Sequence, residues 1–237
     1  MATAQFATCA PVNNAEAPAP HSSETIYVVN ADPRAEPKPL PVFPNPGCRP
    51  AGLLQPLVLR FQSDVPRGID VAQGRHARRD AAGYLRAIDG AGNRSIKCEI
   101  SCAGGESESA IAITRALLKH PYSVTAKISR CSSAAVFIAL AADERVIESN
   151  GTVLIHQAAR ICTHDQWAAI QRLQPREKQA ISDALADIDA ASEALLTARL
   201  GISREVARRW LKEDRKWSAP EALARGFVDV IAAEEAA

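Results

Sequence analysis

The chain has 237 residues, 47% of them hydrophobic, and its 28 basic and 27 acidic side chains leave a net charge of +1. That length and apolar content allow one substantial core with a tail. The balanced charge supplies no bulk attraction to nucleic acid or to a membrane surface, so neither is expected as a partner.

Residues 1–52 differ in composition from everything after them. Ten of the 15 prolines lie between Pro11 and Pro50, among Ala, Asn and Ser, which favours a disordered or extended segment. Ile26-Tyr27-Val28-Val29 is its one strand-like island, readable as a short edge strand or as a docking or propeptide element. No Lys or Arg precedes Arg34 and there is no apolar core of signal-peptide length, so secretion has no support. The six cysteines, at positions 9, 48, 98, 102, 131 and 162, form no CxxC pair and adjoin no His cluster. They read as reduced thiols of a cytoplasmic protein, with no metal and no other cofactor expected.

The second region, 53–237, opens on an apolar strand at 57–61. The basic cluster Gly74-Arg75-His76-Ala77-Arg78-Arg79 reads as a solvated face opening a helix over 78–88, where Ala81, Tyr84, Leu85 and Ile88 recur at helical spacing. After Gly90-Ala91-Gly92, residues 95–101 alternate like a strand and run into Cys102-Ala103-Gly104-Gly105. Paired glycines after a strand let the backbone approach a ligand closely and can offer N–H donors. A helix over 110–119 and a strand over 123–128 lead to Ser129-Arg130-Cys131-Ser132-Ser133. An uncharged apolar run over 134–142 follows, long enough for a buried helix and too short to cross a bilayer. Ser133 thus stands at a helix N-terminus, where free N–H groups and the dipole favour developing negative charge. Ser132 competes with it, and the spacing to the helix favours Ser133.

Residues 152–155 read as a strand delivering His156. Residues 158–174 contain no glycine, and 176–200 carry Ile181, Leu185, Ile188, Ala191, Leu195 and Leu196 along one helical face. That face fits a cover for the subunit's own sheet or a contact between subunits. Downstream, Ser218 and Glu221 have capping-box spacing, Pro220 lies in the first helical turn, and Gly226 stops the helix before a final strand at 227–231. Strands alternating with helices indicate an α/β fold with a mostly parallel sheet, whose sites lie beyond the strand C-termini. Gly104-Gly105 and Ser133 fall at such ends.

These pieces, in this order, resemble the proteolytic subunit of the Clp protease family, within the wider crotonase-like superfamily. The resemblance is carried by the strand and paired glycines of 100–105, the serine of Cys131-Ser132-Ser133-Ala134-Ala135, and Ile155-His156-Gln157. Its most specific stretch is DRKWSAPEALARGFVDVI, eighteen contiguous positions over 214–231. It covers roughly residues 56–233. It implies a ClpP/crotonase-like fold of repeated ββα-type units and a serine endopeptidase acting on peptides or unfolded proteins. Carried over position by position, it implies nucleophile Ser133, general base His156, orienting Asp214, and an oxyanion hole from the N–H groups of Gly105 and Ala134. It further implies a homo-oligomeric ring and an AAA+ ATPase partner.

The chemistry asks for these types. A serine hydroxyl is a weak nucleophile until an imidazole takes its proton. The imidazole needs an acceptor on its other nitrogen, and the tetrahedral oxyanion needs preorganised donors. The chain departs from the family pattern in three places: Ser129 replaces a glycine four positions before the nucleophile, Ser-Cys-Ala-Gly-Gly replaces Ser-Pro-Gly-Gly, and the glycine-rich strand after His156 is missing. Two other readings stand beside the peptidase. One is a catalytically silent or regulatory subunit of a mixed ring, and the other is a crotonase-type acyl-CoA enzyme, which would need no complete Ser/His/Asp set. A thiol nucleophile would have to be Cys131 or Cys102, neither of which occupies the matching position.

Overall fold

The computed structural model describes residues 27–33, 38–63, 71–73, 77–79 and 81–233. In chain order the elements open with β1 (Tyr27–Asn30), β2 (Leu54–Ser63), β3 (Val71–Gln73), β4 (Ala77–Arg79), α1 (Ala81–Asp89) and β5 (Arg94–Cys102). Then come α2 (Ser107–Lys119), β6 (Val124–Ser132), α3 (Ala135–Leu140), β7 (Glu144–Ile155), β8 (Ala159–Cys162) and α4 (His164–Arg172). The chain closes with α5 (Pro175–Leu200), α6 (Arg204–Glu213), β9 (Arg215–Ser218), α7 (Ala219–Ala224) and β10 (Val230–Ile231). They fall into two compact units, Met1–Pro39 with Gln157–Ala190, and Leu40–His156 with Ala191–Ala237.

The larger unit is built on an eight-stranded sheet in the order β10-β7-β6-β5-β2-β3-β4, with β9 on the far half of β7. Its middle, from β10 to β2, is parallel, and β3, β4 and β9 are antiparallel additions. Strict alternation explains the strands. In β5, Ile96, Cys98, Ile100 and Cys102 are buried, while Lys97 and Glu99 point to the other face. That second face is held by ion pairs, Arg60–Glu99 at 2.8 Å and Lys127–Glu148 at 3.4 Å. The buried face takes up Tyr84 and Ile88 of α1, Ile113, Leu117 and Leu118 of α2, and all six residues of α3. Phe61 stacks on Tyr84 with ring centroids 4.6 Å apart. Each of the larger aliphatic and Phe side chains among them contributes about 1.5–3 kcal/mol by leaving water.

Several boundaries differ from the sequence reading. The helix expected over 78–88 starts at Ala81, because residues 77–79 are drawn into the sheet as β4; residues 74–76 of the basic cluster lie outside the described residues. The strand expected over 123–128 continues as β6 to Ser132. Register on both sides of β6 shifts between Ile128 and Arg130, so Ser129 is a bulge residue, unpaired to either neighbour. The final strand is only Val230–Ile231, and Phe227 and Val228 are core residues instead.

The described part of the proline-rich segment makes specific contacts. Arg49 is 3% exposed in its side chain and grips Asp143 through Nε and Nη2 at 2.8–3.0 Å. It also donates to Leu117 O at 2.6 Å and Ala141 O at 3.0 Å, carbonyls at the ends of α2 and α3.

In the smaller unit, β1 pairs antiparallel with β8 from Tyr27↔Cys162 to Asn30↔Ala159. The glycine-free stretch after His156 is therefore a short strand followed by α4, whose start carries a Thr163–Gln166 capping box. Asp32 N–H donates to Ser182 Oγ at 2.8 Å, and Lys38 pairs with Asp187 at 2.7 Å. The helix expected over 176–200 is α5, with Leu185, Ala191, Leu195 and Leu196 buried on the expected face.

Candidate active site

Four chain segments meet at the carboxyl end of the sheet, all within the larger unit. Cys102 ends β5 and leads into Ala103-Gly104-Gly105. Ser132 ends β6, is buried and pairs with Leu154, so it is committed to the strand. Ser133 follows it, half-buried. Its N–H donates to Leu154 O at 2.9 Å and its carbonyl accepts from Val136 N–H at 3.0 Å. The chain therefore turns from strand to helix at this one residue, and Ser133 adopts φ +55° to do so. The cap of α3 is Ala134, so Ser133 stands outside the helix and its hydroxyl is not the cap.

Asp214, with φ +42°, is the other non-glycine residue of positive φ among the described residues. Such backbone is strained by about 1–3 kcal/mol and collects at functional sites. Asp214 ends α6, a helix capped by Ser203 and anchored through buried Ala207, Trp210 and Leu211. The resemblance alone singled out Asp214; the spacing of those three residues behind Ser203 is the sequence signal for the helix that ends at it. On the other side of Asp214, Trp217 of β9 is 1% exposed, with its ring 4.9 Å from that of Trp210 at 81° and capped by the Arg225 guanidinium at 4.4 Å. Two tryptophans thus clamp the turn that carries Asp214. Glu213, the competing carboxylate, is taken up by Arg225 at 3.0 Å, whereas Asp214 is exposed.

His156 is the first residue beyond β7 and is half-buried. The antiparallel register of β7 and β9 runs from Thr152↔Ser218 to Ile155↔Arg215. The ladder ends there, with His156 the next residue after β7 and Asp214 the residue before β9.

Gly104 closes the arrangement from the β5 side. It is buried, with φ +111°, and a Cβ on it would lie 2.5 Å from Ser133 Cβ and 3.1 Å from Ser133 Oγ. Only glycine lets this loop lie against the serine. Gly105 is exposed beside it, and among the described residues neither its N–H nor that of Ala134 is engaged by a backbone carbonyl. The structure thus sets Ser133 and the Gly104 turn in contact, and places His156 and Asp214 on neighbouring strand ends.

The thiols nearby are unsuited to attack. Cys131 is fully buried and its pKa is raised well above the ordinary value, first by burial and then by Cys102. Cys98 is pushed up to about 12 by burial. Among the described residues no cluster of three or more His, Cys, Asp or Glu could hold a metal ion, and no helix is long and apolar enough to cross a membrane.

Residues 83–235 match the profile of the family described as Clp protease. Among solved structures the chain is similar to a ClpP1 point mutant from Listeria monocytogenes, with TM-score 0.51 and 20% identity over 65% of this chain and 85% of that one. It also matches the ClpP protease catalytic domain from Plasmodium falciparum, with TM-score 0.49 and 16% identity over 66% of this chain and 80% of that one. No curated protein sequence matches. The fold is ClpP-like, and with more than half its length matched by that profile, the chain belongs to the Clp protease family.

Proposed function

We propose that this chain is a serine endopeptidase that cleaves peptide bonds through an acyl-enzyme. Ser133 Oγ attacks the scissile carbonyl as His156 takes its proton. Asp214 fixes the imidazole tautomer and stabilises the imidazolium. The N–H groups of Gly105 and Ala134 receive the oxyanion. The C–N bond then breaks as His156 returns the proton to the leaving amine, and water, activated by the same base, releases the acyl group. Family membership supports peptidase chemistry of this kind.

The observation that carries the reading is the meeting of segments around the end of β7. Ser133 is bonded to Leu154 and lies against Gly104, and the β7–β9 ladder ends at Ile155↔Arg215, one residue short of His156 and of Asp214. Membership also leads us to expect extended peptides or unfolded proteins as substrates, a homo-oligomeric ring as the working form, and an AAA+ ATPase as partner in vivo.

The test is labelling of the full chain with a fluorophosphonate probe, followed by mapping of the modified peptide. Label on Ser133 that is lost in His156→Ala and falls in Asp214→Asn is the expected result. A folded sample that stays unlabelled at concentrations favouring oligomers refutes the proposal and favours a silent subunit of a mixed ring.

A further inference from the structure

Cys102 ends β5 with its side chain fully buried. Its sulfur folds back onto the turn that follows, 3.4 Å from Gly104 O and 3.4 Å from Gly104 N. A thiol is a weak donor and a weak acceptor. Here it is placed to be both, giving S–H to the Gly104 carbonyl and receiving the Gly104 N–H. The Gly104 carbonyl and the Gly105 N–H belong to one planar trans peptide and point in opposite directions. Holding the carbonyl inward against Sγ therefore aims the Gly105 N–H outward, on the exposed side of the turn. Both glycines adopt positive φ, +111° and +146°, and two consecutive glycines leave that peptide plane free to rotate unless something outside it holds it. Where Ser-Pro-Gly-Gly would restrain the loop through a proline ring, Ser101-Cys102-Ala103-Gly104-Gly105 restrains it through a thiol.

We infer that Cys102 is a positioning residue for the oxyanion donor: its buried thiol orients the Gly104–Gly105 peptide so that the Gly105 N–H faces the oxygen of the carbonyl attacked by Ser133. The inference rests on the serine peptidase reading. It also gives the sulfur a role other than nucleophile, acting through a peptide plane and never touching substrate.

The test uses the full chain with Cys102→Val, which fills the space without a donor, and Cys102→Ser, which keeps one. The readouts are kcat and KM on a fluorogenic peptide, the rate of fluorophosphonate labelling at Ser133, and inhibition by a peptide boronate, whose tetrahedral adduct places an oxygen in the oxyanion position. Losing a whole oxyanion donor costs about 100- to 1000-fold, so loosening one should cost roughly tenfold in kcat. Cys102→Val is expected to show that loss with KM within about twofold, and boronate affinity falling in the same proportion. Cys102→Ser is expected to return to within about threefold of the parent. Equal kcat in the parent and a folded Cys102→Val overturns the inference, as does an equal loss in the two variants. Should Cys102→Val fail to fold, the serine variant decides alone: boronate affinity lost without recovery of kcat overturns the role. A parent chain that never labels at Ser133 removes the peptidase reading itself, a result distinct from one in which parent and variant label alike.

Discussion

Replacing Gly104 with alanine tests the packing of the site directly. The new methyl would sit 2.5 Å from Ser133 Cβ and 3.0 Å from Ser132 O, on a residue held at φ +111°. Relaxing the first contact to an ordinary 3.4 Å or more requires a shift of about 1 Å between loop and serine. Overpacking of this kind costs about 1–3 kcal/mol, and forcing an L-residue into that backbone region adds about 1–3 kcal/mol. A loss of about 2–6 kcal/mol leaves a domain stable by about 10 kcal/mol folded but weakened. Catalysis should suffer more, since a 1 Å misplacement of a reacting group can cost about 100-fold. Urea unfolding gives the first quantity, and the rate of Ser133 labelling by a fluorophosphonate gives the second. The Ser133→Gly background removes the Cβ that is struck, so Gly104→Ala should cost about 1–2 kcal/mol less there, a coupling read from the double-mutant cycle. The reasoning is refuted if Gly104→Ala unfolds within about 0.5 kcal/mol of the parent and labels at the same rate.

Arg49→Ala takes the guanidinium from Asp143 and from the carbonyls of Leu117 and Ala141, leaving Asp143 only the Val124 N–H, and should lower stability by about 2–4 kcal/mol, seen as a lower urea midpoint at unchanged slope. Glu221 is held down to about 2, chiefly by the Ser218 N–H, then by Arg215 and the Ser218 hydroxyl. Its contribution is complete above the unfolded carboxylate value near 4.3 and is lost as pH falls from there through about 2. Protection of the β9 amides, taken against unstructured amides at the same pH, should therefore fall as pH drops across that window in the parent, and Glu221→Gln should flatten the response. Asp214→Asn keeps a residue that tolerates positive φ, so stability should change by less than about 0.5 kcal/mol while kcat falls about 1000- to 10,000-fold. Retained kcat in that variant would remove Asp214 from the triad.

What the sequence made legible was whatever has a short period or a local punctuation mark. The alternation of 95–101, the apolar run after Ser133 and the Ser218–Glu221 capping box each reappear as β5, α3 and the start of α7. What it hid depends on partners distant in the chain. Residues 77–79 carry a basic pattern suited to a helix start, yet they complete a sheet edge through pairing with Val71–Gln73. Asp214 lay in a charged run, and only the packing of Trp210 against Trp217 shows that the run is a helix end bent back into a strand. Ser129, a departure from the family pattern, falls where the register shifts on both sides, and a bulge tolerates that exchange. The role of the cysteine at 102 was invisible, because it depends on a thiol folding back two residues along its own chain.

The pairing of β1 with β8 has a consequence for biosynthesis. Asp32 meets Ser182 across 150 positions of chain, and Lys38 reaches Asp183 across 145. Translation proceeds at about 5–20 residues per second, so Tyr27–Asn30 must wait on the order of ten seconds or more for its partner strand to emerge. Joining ends so far apart in an otherwise open chain costs about 4–5 kcal/mol in closure entropy. Residues 27–30 thus leave the ribosome well before their partner strand exists. A nascent chain halted before residue 159 emerges should expose Tyr27–Asn30 to added protease, and one halted after residue 190 has emerged should shield it.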